Sequence, residues 1–101
     1  MVITLRYFDG CPNWQLAEAR LRSALQRVGR DGFRIERERV DTPETAKLVG
    51  FFRGSPTVLI DGEDPFADPA SPTGLSCRRY HTESGPDGAP SVAQLEAVLN
   101  R

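Results

Sequence analysis

At 101 residues, the chain has the length of one ordinary domain, which can bury a core without a metal ion or a set of disulfide bonds. Thirteen basic and 14 acidic side chains give a net charge of −1, so the basic excess typical of nucleic-acid-binding and membrane-surface proteins is absent. The sequence shows no charged-then-apolar leader and no apolar run of about 18 residues. We therefore expect a single cytoplasmic domain over residues 1–101, with no nucleic-acid or membrane partner.

The first two predicted elements are a strand and a helix. Residues 2–8 are rich in β-branched and aromatic side chains and alternate only weakly with polar ones, which is typical of a central strand covered on both faces. Apolar residues between Trp14 and Val28 then recur at spacings of three and four. This spacing predicts an amphipathic helix that ends at Gly29.

A cysteine stands where this strand gives way to this helix. Cys11 follows Gly10, which permits a turn, and precedes Pro12, whose missing N–H suits the first helical position. The N–H groups and the positive dipole end of a helix stabilise an anion, so we expect this position to lower the pKa of the Cys11 thiol. Cys11 is therefore a candidate nucleophile or soft-metal ligand.

Two further strands and a short helix are predicted in the middle of the chain. Residues 33–40 alternate between apolar and charged side chains at the start and are charged in the middle, which favours an edge strand. Residues 42–49 resemble a capped short helix, because Thr42 is followed by proline. Residues 57–60 form an apolar run between turn signals and predict a buried strand that begins after Pro56.

The last third of the chain combines a long connection with two elements. Residues 63–74 contain three prolines and several acidic side chains, and this length is unusual for a tight connection. Residues 75–81 are predicted as a short fourth strand at a sheet edge. Ser91 and Gln94 match a capping box, which predicts a final helix carrying the apolar residues that follow.

The predicted order β-α-β-α-β-β-α and two short motifs resemble the thioredoxin-like superfamily, in particular small bacterial members with a CPxW site in place of CxxC. The motif at the position of the superfamily's active-site cysteine is Phe8, Asp9, Gly10, Cys11 and Pro12. The motif that resembles its cis-proline loop is Gly54, Ser55, Pro56 and Thr57. The resemblance covers nearly the whole chain and implies an α/β fold with a central mixed four-stranded sheet flanked by helices.

The resemblance also implies how a partner would bind. It implies that Pro56 is cis and lies beside Cys11, and that Ser55 offers its backbone to an extended partner. The residues expected to contact a substrate are Asp9, Pro12, Trp14, Ser55, Pro56 and Thr57.

The chain departs from the dithiol members of this superfamily at Trp14, which occupies the position of their second cysteine. A mixed disulfide on Cys11 must then be resolved by Cys77, the other cysteine of the chain, or by an external thiol. If residues 75–81 form a regular strand, Cys77 lies about 13 Å short of the Cys11 end of the sheet. A disulfide needs Cα atoms within about 7 Å. This geometry argues against a Cys11–Cys77 bond, unless residues 63–74 fold back over the site.

Our leading hypothesis from the sequence is thiol–disulfide exchange, or mixed-disulfide formation, between Cys11 and a protein or low-molecular-weight thiol, with Cys77 as an optional resolving cysteine and no cofactor. One alternative is a module that binds mercury or copper through Cys11, Cys77 and Asp9, and the chain is similar in part to segments grouped with organomercurial lyases. Another is a redox-inactive interaction domain. The paired glycines with which glutaredoxin-like relatives hold glutathione have no clear match in residues 82–91.

Overall fold

The structure, a computed structural model, describes residues 1–30, 32–40, 42, 44, 54–67 and 77–100. In chain order, its elements are β1 (Ile3–Tyr7), α1 (Asn13–Arg27), β2 (Ile35–Arg39), β3 (Thr57–Ile60), β4 (Tyr80–Thr82), β5 (Gly85–Asp87) and α2 (Val92–Leu99). The chain is thus an α/β protein, as predicted. The helix predicted at 42–49 lies outside the described residues except for Thr42 and Glu44, and residues 68–74 of the predicted connection also lie outside them.

β1 is the central strand of a three-stranded mixed sheet with the order β2-β1-β3. It pairs in parallel with β2 and antiparallel with β3, so that Ile3 lies opposite both Ile35 and Ile60. The central position of β1 and the edge position of β2 are confirmed. The register also places Arg6 opposite Glu38, and their side chains form an ion pair at 2.6 Å.

The main core lies between one face of this sheet and the two helices. Alternate residues of a strand point to the same face, and Ile3 and Leu5 of β1 are accordingly buried in one cluster with residues of both helices. The helices also contact each other. Their buried apolar contributions to the cluster are Ala17, Leu21, Ala24 and Leu25 from α1 and Leu95 and Leu99 from α2. The apolar stripe predicted for α1 therefore forms much of the core.

The helix ends follow local sequence signals. Pro12 is the N-cap of α1, one position before its first helical residue, and Gly29 has a φ of 74° directly after the C-cap residue. In α2, the Ser91 hydroxyl accepts from the Gln94 N–H, and the Gln94 side chain accepts from the Ser91 N–H. The capping box is confirmed. No helix among the described residues has the length and apolar character needed to span a bilayer.

The described residues do not contain the predicted four-stranded central sheet. β4 instead pairs antiparallel with β5, and together they form a separate two-stranded sheet. Thr82 lies opposite Gly85 across a two-residue turn. Ser84 lies in this turn and Gly85 follows it. A Ser-Gly pair is a recognised turn signal, but the sequence prediction did not use it. Cys77 lies before this hairpin, in an isolated parallel bridge with Ser55.

A carboxylate joins α1 to the edge strand β2. Both oxygens of Glu18 accept from Arg37 at 2.7 Å, and one of them also accepts from Arg22 at 3.0 Å. The Glu18 side chain is only 9% exposed, whereas both arginines reach solvent. The hydrogen bonds from Arg37 hold the pKa of Glu18 below its ordinary value despite the opposing effect of burial, and Arg22 adds to this lowering.

We expect Glu18→Gln to lower the free energy of unfolding by about 1 kcal/mol at neutral pH, a low value because the arginine partners are exposed. A lowered folded-state pKa gives stability that is present above the unfolded-state pKa of about 4.3 and lost as pH falls through the folded-state value. The difference between wild type and variant should therefore shrink in acid. Denaturant unfolding from neutral to acidic pH measures it.

The exposed Glu36 on the same edge strand provides the control. Glu36→Gln should change stability little at either pH, because surface charges contribute little. A Glu18 effect that stays constant into acid would contradict the role assigned to its ion pairs.

Candidate functional site

The two cysteines form a disulfide, with their Cα atoms 5.6 Å apart across 66 positions of sequence. The prediction that Cys77 lies too far from Cys11 to form a disulfide is wrong. It assumed that residues 75–81 form one regular strand of the central sheet. Instead, Cys77 runs parallel to Ser55 just before β3, and the chain enters the separate hairpin only at Tyr80. This local pairing brings Cys77 to the junction between β1 and α1.

Cys11 is placed by the turn that leaves β1. Its N–H donates to the Phe8 carbonyl at 3.2 Å, and the helix begins two residues later. Gly10 packs against the Phe8 ring, and a Cβ at this position would lie 2.5 Å from that ring unless the Phe8 side chain moved. Cys11 is 0% exposed, and its Sγ lies 3.6 Å from the Ser55 carbonyl oxygen. The sulfur is therefore enclosed between the start of the helix and the loop before β3.

The loop before β3 forms the opposite side of the site. The Ser55–Pro56 peptide bond is cis, as the resemblance implies, and Gly54 has a φ of 104° that favours glycine. The Thr57 hydroxyl donates to the Gly54 carbonyl at 2.7 Å. The Ser55 carbonyl accepts from the Arg78 N–H at 2.8 Å. The backbone that was expected to bind an extended partner is thus paired with the chain's own segment.

Arg78, the residue after Cys77, is buried and anchors this segment. Its guanidinium pairs with Asp64 at 2.6 Å, and the two side chains are only 5% and 15% exposed. It also donates to the Phe66 carbonyl at 2.6 Å and to the Thr57 hydroxyl at 3.3 Å. The guanidinium carbon lies 4.7 Å from the centre of the Tyr80 ring. A buried charge is tolerated when it is paired and hydrogen-bonded in this way.

Tyr80 ties the same segment to the proline loop. Its hydroxyl donates to the Pro56 carbonyl, and its ring meets the Phe66 ring edge to face at 5.7 Å. Burial raises the pKa of Tyr80, so the side chain stays a neutral hydrogen-bond donor. Arg78 and Tyr80, one and three residues after Cys77, are therefore both held by non-covalent contacts. The sulfur of Cys77 is positioned near Cys11 by more than the disulfide itself.

Ser55 carries a further feature of the site. Its side-chain oxygen is the one buried side-chain polar atom, among those the structure describes, that has no hydrogen-bond partner. A buried hydroxyl without a partner costs about 1–3 kcal/mol. Ser55 itself adjoins the disulfide, because its carbonyl oxygen lies 3.6 Å from the Cys11 sulfur. The sequence prediction assigned Ser55 a role only through its backbone.

The predicted site residue Asp9 is exposed, and its carboxylate pairs with Arg39 at 3.1 Å. Within the described part of the chain, no three His, Cys, Asp or Glu side chains come together to hold a metal ion. The three-ligand soft-metal set predicted from Cys11, Cys77 and Asp9 is therefore not assembled here.

Trp14 lies in a groove along α1 and the edge strand. Its ring stacks on Tyr7 with centroids 4.5 Å apart, and the Arg37 guanidinium lies 5.1 Å from its centroid. The groove has a volume of 330 Å³. The described residues that line it are Trp14, Gln15, Glu18, Ala19, Arg22 and Arg37. Neither cysteine is among them, so this groove and the disulfide are separate features.

Sequence reasoning missed Arg78, Asp64 and Tyr80 as residues that position the site. The sequence predicts only an edge strand at residues 75–81 and a long connection at residues 63–74. In fact Arg78 and Tyr80 are buried, whereas Cys77 and Arg79 are exposed. The unusual burial of an arginine depends on a partner 14 positions away, and no local pattern indicates it.

Comparisons with protein-family models, curated proteins and solved structures find no match to this chain. The chemistry assigned to the site therefore rests on its own geometry. That geometry brings together two cysteines, a helix start and a cis-proline loop.

Proposed function

We propose that the chain is a thioredoxin-like protein that performs thiol–disulfide exchange, with Cys11 and Cys77 as its redox pair. One observation carries the proposal, namely the disulfide between a cysteine at a helix start and a cysteine beside the proline loop. In this proposal Cys77 takes the part of the second cysteine that Trp14 replaces.

The described fold supports the thioredoxin-like assignment. The sheet order β2-β1-β3, with a parallel and an antiparallel neighbour for β1, agrees with the arrangement that the resemblance implies. Contact between α1 and α2 and the cis bond before Pro56 agree with it as well. The fourth strand of such a sheet is a separate hairpin strand here, so the proposal relies on the arrangement around Cys11.

The chemistry of the pair follows from its surroundings. Reduction by two external thiols gives two cysteine thiols and one external disulfide, and the reverse reaction re-forms the Cys11–Cys77 disulfide while it reduces a substrate disulfide to two thiols. The start of α1 favours the anionic form of Cys11 in the reduced protein. We place the protein in the cytoplasm, where disulfides are usually transient and catalytic or redox-sensing rather than permanent.

Equilibration of the full chain in glutathione redox buffers tests this function. We expect the pair to interconvert reversibly between disulfide and dithiol while the protein stays folded, and to follow two-electron behaviour. Acid quenching, alkylation and mass spectrometry measure the two forms, and circular dichroism monitors the fold. The Cys77→Ser variant should show only a mixed disulfide with glutathione.

A purely structural disulfide behaves differently. It would stay closed at every glutathione ratio until the protein unfolds, and this result would leave the chain as a redox-inactive interaction domain. A second assay measures turnover, with a protein disulfide as substrate and dithiothreitol as reductant. Replacement of both cysteines by serine should abolish any rate above the dithiothreitol background.

A further inference from the structure

We infer that an external thiol attacks the oxidised protein at the sulfur of Cys77, and that Cys11 is the leaving group. The attacking partner is a low-molecular-weight thiol in its thiolate form. This inference rests on the proposed exchange function and assigns the order of its steps. In this order Cys77 carries the mixed disulfide, and Cys11 later attacks it to re-form the Cys11–Cys77 disulfide.

Access to the two sulfurs differs sharply. Cys11 is 0% exposed, whereas Cys77 is an exposed residue. Exchange requires the attacking, central and leaving sulfurs to lie nearly in line, so a nucleophile reaches a sulfur from the side opposite its partner. Cys11 has no exposed surface, so protein blocks this approach to its sulfur, whereas Cys77 is exposed to solvent. Because exchange rates depend on which sulfur is accessible, attack at Cys77 is favoured.

The leaving group favours the same direction. A thiol of lower pKa leaves faster, and Cys11 lies directly before the N-cap of a 15-residue helix. The N–H groups at the helix start stabilise the departing thiolate. Among the described residues, no helix begins at or directly after Cys77.

The atoms and electrons balance over two exchanges. In the first, a thiolate RS⁻ forms a bond to the Cys77 sulfur, the bond between the two cysteines breaks, and Cys11 leaves as a thiolate. In the second, another RS⁻ attacks the external sulfur of the mixed disulfide and releases the Cys77 thiolate. Two protons from the two RSH molecules complete the cysteine thiols. The external thiols are oxidised to RSSR, and the protein disulfide is reduced.

The contacts around Cys77 explain why the Cys11–Cys77 disulfide can re-form from the mixed-disulfide intermediate. Arg78 and Tyr80 hold the segment to Ser55, Pro56 and Asp64 without help from the disulfide. The Cys11 thiolate therefore stays close to the mixed disulfide, and such proximity raises the rate of an intramolecular step. The group R lies on the exposed side, so a small thiol needs no enclosed pocket.

Mapping of the first mixed disulfide tests this order. Oxidised wild-type protein is mixed with glutathione for a short time, and excess methyl methanethiosulfonate then caps every free thiolate. Pepsin digestion in acid, which prevents disulfide scrambling, and mass spectrometry locate both labels. We expect glutathione on Cys77 and the methylthio group on Cys11, with at least about a tenfold preference over the opposite arrangement. No variant is needed, so folding is not disturbed.

The same reaction in denaturant is the matched control. Unfolding makes both sulfurs accessible, so glutathione should then distribute over the two cysteines. Glutathione mainly on Cys11, or equally on both cysteines of the folded protein, would overturn the inference while leaving the exchange function intact. No labelling of either cysteine in the folded protein would contradict the exchange function and the inference together.

Discussion

Asp64→Ala is expected to lower the free energy of unfolding of the reduced protein by about 3 kcal/mol. The substitution leaves the Arg78 guanidinium buried without its carboxylate, and removal of one partner of a buried ion pair typically costs about 3–5 kcal/mol. The lower end applies because the Phe66 carbonyl and the Tyr80 ring remain beside the guanidinium. Urea unfolding under reducing conditions measures the loss without a contribution from the disulfide.

Two further variants separate charge from shape. Asp64→Asn removes the charge but keeps an oxygen that can accept from the Phe66 N–H, as Asp64 does at 2.9 Å, so its cost should be smaller. Arg78→Met in the Asp64→Ala background removes the orphaned charge and should recover part of the loss. A cost below about 1 kcal/mol for Asp64→Ala would contradict the buried pair as an anchor.

The Asp64→Ala substitution should also affect thiol–disulfide exchange. If Arg78 positions Cys77, then Asp64→Ala weakens the arrangement that holds the thiols together, and the effective concentration of one thiol for the other falls. We expect a decrease of about tenfold, because misplacement of reacting groups reduces intramolecular rates strongly. The equilibrium with glutathione measures it. A merely structural role for Asp64 would change stability and leave this equilibrium unchanged.

Loss of the disulfide is expected to cost about 4 kcal/mol of unfolding free energy. The bond closes a loop of 66 residues, and the chain-entropy relation predicts a loss of this size for such a loop. Guanidinium chloride unfolding of oxidised and reduced wild type measures the difference. Cys77→Ser is the better variant, because Cys77 is exposed, whereas serine at the buried Cys11 position would add a second hydroxyl beside Ser55.

A thermodynamic cycle gives this prediction an independent check. The disulfide stabilises the folded state by a certain free energy. The same free energy measures how much more readily the disulfide forms in the folded chain than in the unfolded chain. About 4 kcal/mol corresponds to a preference of roughly a thousandfold. The ratio of effective thiol concentrations in buffer and in denaturant should therefore agree with the unfolding difference. Equal stability of the oxidised and reduced proteins would show that the disulfide does not constrain the unfolded chain.

Short-range signals predicted the framework of this protein well. The spacing of apolar residues identified α1, the Ser91 and Gln94 pair identified the start of α2, and the apolar run after Pro56 identified β3. These features succeed because capping, helical periodicity and strand burial each depend on residues a few positions apart. The ends of β2 differ from the predicted 33–40 by one or two residues, as expected where a strand frays at an edge.

The path of the chain through Cys77 could not be predicted in this way. A strand at 75–81 was consistent with local composition, yet Arg78 is withdrawn from solvent by Asp64 and paired through its backbone with Ser55. Both partners are distant in sequence. The effect of these partners on Arg78 depends on desolvation and pairing inside the folded chain. A short stretch of sequence around Arg78 does not contain this information.

The sequence by itself determined a cysteine at a helix start, a proline loop before a buried strand, and an α/β order of elements. These follow from local backbone preferences and from apolar periodicity. Only the tertiary structure decided which thiol meets Cys11, and which of the two sulfurs faces solvent. The pairing of the two cysteines depends on the buried Arg78–Asp64 ion pair. The exposure of each cysteine depends on how the chain packs around the disulfide. The burial of Cys11 and the exposure of Cys77 are the observations on which the proposed order of attack rests.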